Sequence, residues 1–145
     1  MAKRNLNKTQ TSNREPKEKR EEMSLFEIIA RKQIIQKILN FSLPASSAYK
    51  LSRIAKFFNE EFETIERMRK QLVEQHGAKF KDKKTGAIVI PPDSKEYTEW
   101  YEEFETFLKE TIIKIPEFDR ISMKDISNVT LSANDIILLE DFLED

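Results

Sequence analysis

A chain of 145 residues and 17.2 kDa has room for one ordinary hydrophobic core and not for two. Charged residues make up 35% of it and apolar residues 39%, and with two glycines, one histidine and no cysteine it excludes disulfide frameworks, cysteine–zinc sites, thiol catalysis and glycine-rich phosphate loops. The net charge of −1 hides an asymmetry: residues 1–84 carry 20 Lys and Arg against 11 Asp and Glu, and residues 85–145 carry 5 against 15, so the halves either attract each other within one fold or mark surfaces for oppositely charged partners.

Residues 1–22 have only Met1, Ala2 and Leu6 as apolar side chains among Lys3, Arg4, Lys8, Arg14, Lys17, Lys19 and Arg20. Such a segment buries too little to offset its ordering cost, which predicts a disordered basic arm ahead of a single domain over 23–145. Ser24-Leu-Phe-Glu27 fits a capping box in front of Leu25, Ile28, Ile29, Ile35, Ile38 and Leu39, which would line one face of a first helix. Pro44 ends that helix and suits the first turn of the next. From about Ala45 to His76, Leu51, Ile54, Phe58, Phe62, Ile65, Met68 and Leu72 recur every three or four residues. That pattern predicts an amphipathic helix roughly 45 Å long, with Gly77 as its left-handed stop.

Residues 79–86 form a polar turn ending in Gly86 beside Ala87-Ile-Val-Ile90, which reads as a β-hairpin closed by Pro91 and Pro92. Asp93 or Ser94 caps a third helix with Tyr97, Trp100, Tyr101, Phe104, Phe107 and Leu108 on one face. This stripe is expected to pack on the long helix, with Trp100 buried. Thr111–Ile115 reads as a strand able to pair with the hairpin, residues 117–130 as irregular, and Ser132–Asp135 as a capping box for a last helix through Ile136, Ile137, Leu139, Phe142 and Leu143. The expected architecture is mainly helical α+β. A long antiparallel helical hairpin of residues 45–76 and 94–109 carries a small β-hairpin or sheet of 79–90 and 111–115 at one end, with short N- and C-terminal helices over the remaining apolar faces.

Several stretches resemble a known family. Leu43–Lys56, Glu60, Glu61, Glu66–Leu72, His76 and Gly77 resemble the long helix of an uncharacterised family of small proteins encoded by tailed phages and prophages. The Pro91-Pro92 turn before a Tyr- and Phe-bearing helix, the strand Thr111–Ile115 and the ending Leu131–Leu143 are similar to its second half. The match runs over roughly residues 30–143, and the basic arm departs from it. The resemblance implies a phage origin and a helical-hairpin shape, and with them a place in the host cytoplasm or the virion.

No constellation calls for a cofactor, and the sequence reads as non-enzymatic. His76 at a helix C-terminus is expected to cap that end or stand exposed, since no cysteine or second histidine could join it on a metal. Carboxylates one turn apart, such as Glu99 and Glu103, are too abundant among 15 acids to single out a site. Asp82-Lys-Lys84 resembles the tail of a nuclease signature without the Pro-Asp that should precede it. The candidate contact residues are Lys3, Arg4, Lys8 and Arg14 of the arm, with Arg67, Lys70, Lys79, Phe80, Lys81, Lys83 and Lys84. Phosphates attract such a cluster, although the acidic second half opposes them. The expected function is binding to other proteins, as a virion or assembly component or as an inhibitor of a host protein. The alternative is a small nucleic-acid-binding accessory protein. A homo-oligomer is compatible with either, because adjacent Phe57 and Phe58 point about 100° apart, so one would face the first helix or a second copy.

Overall fold

A three-residue strand, β1 (Glu22–Ser24), with Glu22 exposed and Met23 and Ser24 buried, stands at the start of the folded body of this computed structural model, which describes residues 20–144. Ser24 then caps α1 (Leu25–Ala30), its hydroxyl accepting the Glu27 N–H at 3.2 Å. The first helix is two helices. At Arg31 (φ −94°, ψ 0°) the chain leaves helical geometry and restarts as α2 (Lys32–Ile38). Arg31 itself is buried: Nε donates to the Leu138 carbonyl at 3.0 Å and a terminal N–H to the Glu27 carbonyl at 2.7 Å. The break turns Ile34 into the core beside Ile35 and Ile38 and leaves Leu39 exposed, so the single face expected over 25–39 is divided.

The long helix, α3 (Ala45–Gly77), follows Pro44 and spans 33 residues, about 50 Å. Its buried side chains include Leu51, Ile54, Ala55, Phe58, Phe62, Ile65 and Leu72, at the spacing that the sequence displays. Phe58 is fully buried and meets the ring of Phe142 edge-on at 5.6 Å, while Phe57 is half-buried and lies on Phe118 at 5.7 Å. The irregular segment thus covers the second phenylalanine.

Gly77 does not take the left-handed conformation expected of it. Its φ is −110° and ψ 10°, and the chain runs on into a 3₁₀ turn, Ala78–Phe80. What the position requires is closeness, because an added Cβ would lie 2.7 Å from Ile90 Cγ1 and 2.8 Å from Ile88 Cγ2. Residues 81–88 form a tight turn joined by one bridge, Lys81 with Ile88, rather than a hairpin of two strands. The positive φ falls at Gly86, +75°.

Ser94, not Asp93, caps α4 (Lys95–Glu110), accepting the Tyr97 N–H at 3.1 Å. The helix ends at Thr111 and leads into β2 (Ile112–Lys114). The sequence pairs this strand with residues 79–90, but the structure pairs it with β1, antiparallel, Met23 opposite Ile113. Hydrogen bonds from Leu25 N–H to Thr111 O and from Ile115 N–H to Glu21 O extend the ladder at both ends, so residues 20–22, assigned above to the arm, belong to the folded body. A second pair follows. β3 (Ile121–Ser122) runs parallel to β4 (Leu143–Glu144), after a 3₁₀ turn at Met123–Ile126 and α5 (Ala133–Leu139). The last helix stops at Leu139, short of the expected Leu143, and a 3₁₀ turn at Glu140–Phe142 feeds β4. The capping box at Ser132 and Asp135 forms with both hydrogen bonds at 3.0 Å. The architecture is mainly helical α+β, with one core running from Met23 to Leu143. No helix among the described residues is long and apolar enough to cross a membrane.

Candidate interaction surfaces

Lys81, Lys83 and Lys84 are exposed on the tight turn and make no ion pair among the described residues. Asp82 builds the turn that presents them: Oδ1 accepts the N–H groups of Lys84 at 2.7 Å and Thr85 at 3.2 Å, and its carbonyl accepts the Gly86 N–H at 2.8 Å. This is the ordinary use of aspartate in turns, and it accounts for the Asp82-Lys-Lys84 sequence without nuclease chemistry. Lys79 points elsewhere. Its ammonium pairs with Glu96 at 2.9 Å and lies 5.2 Å from the Phe80 ring centre. Arg67 and Lys70 are exposed on α3, about 15 and 10 Å along the axis from Gly77. Lys3, Arg4, Lys8 and Arg14 lie outside the described residues.

Along α4 the acidic half of the chain meets the basic half. His76 Nε2 lies 2.6 Å from Glu103 Oε2 and Nδ1 lies 3.9 Å from Glu99, while Lys79 holds Glu96. Residue numbers rise from His76 to Lys79 while they fall from Glu103 to Glu96 along α4. His76 is neither a free cap nor exposed; it links two helices. The Lys79 ammonium, 2.9 Å from its Oε2, holds the Glu96 carboxyl below its ordinary range. Among the described residues no group of three or more His, Cys, Asp or Glu side chains is arranged to hold a metal ion.

The aromatic face of α4 is where sequence and structure part furthest. Leu108 is buried, but Tyr97, Trp100, Phe104 and Phe107 are only half-buried and Tyr101 is 50% exposed. Trp100 is therefore not the core residue expected of it, and its indole N–H is shielded from water without meeting an acceptor among the described residues. The cause lies in what packs where. α4 is flanked by α3 and α1, with Lys109 near its C-terminal end over the Phe26 ring at 5.6 Å, whereas towards its N-terminal half it meets the end of α3 at His76. An aromatic arc of about 120° is wider than that one neighbour covers.

The uncovered side forms an open groove of about 610 Å³ floored by Tyr97 and Tyr101, whose rings stack at 6.4 Å and 12°. Glu102, Glu105 and Lys109 stand along it. Glu105 accepts from Lys109 at 2.7 Å. Lys109 and then Tyr101 lower the Glu105 pKa, and Glu105 raises that of Tyr101. Glu102 has no ion pair among the described residues. None of these groove residues stood among the sequence candidates. The available signal was tyrosine, rather than leucine, at the rim of an otherwise apolar stripe, with glutamates beside it.

No family model matches the chain, and neither a curated protein nor a solved structure matches it.

Proposed function

We propose that the protein is a non-enzymatic phage protein that works by binding other proteins, as a virion or assembly component or as an inhibitor of a host protein. The phage origin rests on the resemblance of Leu43–Lys56 and Leu131–Leu143 described above. The binding role rests on one observation, the half-open aromatic face of α4 with Tyr101 at its exposed rim. Tyrosine offers a large, stiff contact surface at low conformational cost and is enriched in protein interfaces. A photo-crosslinking amino acid placed at Tyr101, and separately at exposed Glu74 on α3 as a control, tests the reading in infected cells and purified virions. Crosslinking to a protein from position 101 and not from 74 is expected; equal or absent crosslinking at both positions removes the face of α4 from consideration.

A second reading, nucleic-acid binding, is favoured by Lys81, Lys83 and Lys84, which make no ion pair among the described residues. Three phosphate contacts give a salt slope of about −2 to −3 in log K against log salt. Binding to random DNA or RNA is expected to be weak at low salt and lost near physiological ionic strength. Submicromolar affinity at that salt, lost when the three lysines become alanine, would put this reading first.

A further inference from the structure

We propose that the α4 groove recognises an arginine-bearing segment of a partner protein, the guanidinium stacking on Tyr101 and Tyr97 and forking to Glu102. This inference rests on the protein-binding reading and names the chemistry of its partner. Three observations carry it. The first is charge: α4 has six glutamates against two lysines, and those on its N-terminal half that face α3 are already engaged by His76 and Lys79, while Glu102 on the groove side is not engaged among the described residues. The second is shape. Two tyrosine rings stacked within 12° present an aromatic surface, and a planar cation over such a face is attracted by the ring quadrupole. The third is rigidity: the Tyr101 ring lies against Tyr97 and, edge-on, against Trp100, each with ring centres 6.4 Å apart, which restrains the exposed ring and lowers the ordering cost of binding.

The chemistry selects among occupants. A phosphate backbone meets carboxylates here and is repelled. An apolar helix would leave the Glu102 carboxylate without a partner, which costs affinity. An ammonium satisfies the charge but not the stacking or the two-pronged carboxylate contact. Arginine satisfies all three.

The test is fluorescence anisotropy of the full chain with labelled peptides of alternating arginine and glycine, alternating lysine and glycine, and alternating glutamate and glycine, at near-physiological salt. Saturable binding of the arginine peptide is expected, about tenfold tighter than the lysine peptide and without measurable binding of the glutamate peptide. Tyr101→Ala should weaken it about tenfold and Glu102→Gln about three- to tenfold. Tyr101→Phe, which keeps the ring face, should retain most of the affinity, and Lys84→Ala outside the groove should leave it unchanged. Unaltered thermal transitions in these surface variants would show that folding is not the cause. Arginine and lysine peptides binding equally, with no response to Tyr101→Ala, would overturn the proposal, as would self-association abolished by Tyr101→Ala, which assigns the groove to a second copy. Crosslinking from position 101 with no arginine-peptide binding would overturn the partner chemistry while leaving the protein-binding role intact; loss of crosslinking at 101 would remove that role itself.

Discussion

At Gly77 two residue-scale effects oppose each other. Alanine is the better helix former by about 1 kcal/mol, but its Cβ would press on Ile88 and Ile90 at 2.7–2.9 Å, and two of the three atoms it meets are close to their backbones and cannot swing away. Overpacking of this kind costs about 1–3 kcal/mol, so Gly77→Ala is expected to destabilise, and chemical denaturation at constant m-value checks the sign. Arg31 is a second case where position outweighs residue type. Burial lowers its pKa below the usual arginine value, with Asp141 partly offsetting the effect, yet its fork is committed to two backbone carbonyls from different ends of the chain. Arg31→Lys keeps the charge and loses the fork, and each charged hydrogen bond lost is worth about 1.5–3 kcal/mol. A lysine replacement as stable as the parent would show that the charge alone suffices. Neither role is visible in the sequence, where glycine after a long helix and arginine in a helical run have commoner uses.

At the element scale, the two helix faces that the sequence reads alike carry different loads. Phe58 is fully buried between α3 and the C-terminal segment, and Phe58→Ala is expected to cost about 3–5 kcal/mol. Trp100→Ala should cost roughly half of that, since the ring is half-exposed and its N–H is already unsatisfied. Equal losses in denaturation would return the tryptophan to the core. α5 has a pH-sensitive start. The Ser132 backbone N–H and then Lys37, whose ammonium lies 3.1 Å away, lower the Asp135 pKa below the ordinary 3.8. A carboxyl depressed in the folded state contributes stability above its unfolded pKa and loses it as pH falls through the folded value. Asp135→Asn keeps an acceptor for Ser132 but cannot titrate, so the gap in stability between parent and variant should be full at pH 7 and close as the pH drops below about 4. A gap that is flat from pH 7 to pH 3 would exclude the mechanism.

On the scale of the whole molecule, the fold is tied shut by pairings between distant segments. β2 closes on β1 near the start, β3 closes on β4 near the end, and Phe142 and Leu143 enter the core only through the second closure. Removing residues 140–145 strips both from the core. Losses of about 2–5 kcal/mol for each such side chain compare with a total stability of about 5–15 kcal/mol. The shortened chain is therefore expected to lose its cooperative thermal transition, and a sharp transition within a few degrees of the parent's would show that the β3–β4 closure is dispensable.

Local chemistry determined a good part of this protein from the sequence alone. The 3- and 4-residue spacing of Leu51 to Leu72 set the long helix and its buried face, Ser24 and Ser132 set two helix starts, and Pro44 set a boundary, because each acts within one or two turns of its own backbone. Partners distant in the chain were decided by tertiary structure. Thr111–Ile115 read correctly as a strand but not as the mate of Glu22–Ser24, since three residues around one methionine carry too little pattern to announce a strand. Arg31 at the helix break finds its partner in the Leu138 carbonyl, more than a hundred residues away. The candidate surface was decided in the same way: the lysines of residues 81–84 were legible from composition, but the groove at Tyr101 exists because the neighbours of α4 cover only part of its aromatic arc. Periodicity measures how apolar a face is, and only the packing of the other elements determines how much of that face is left for a partner.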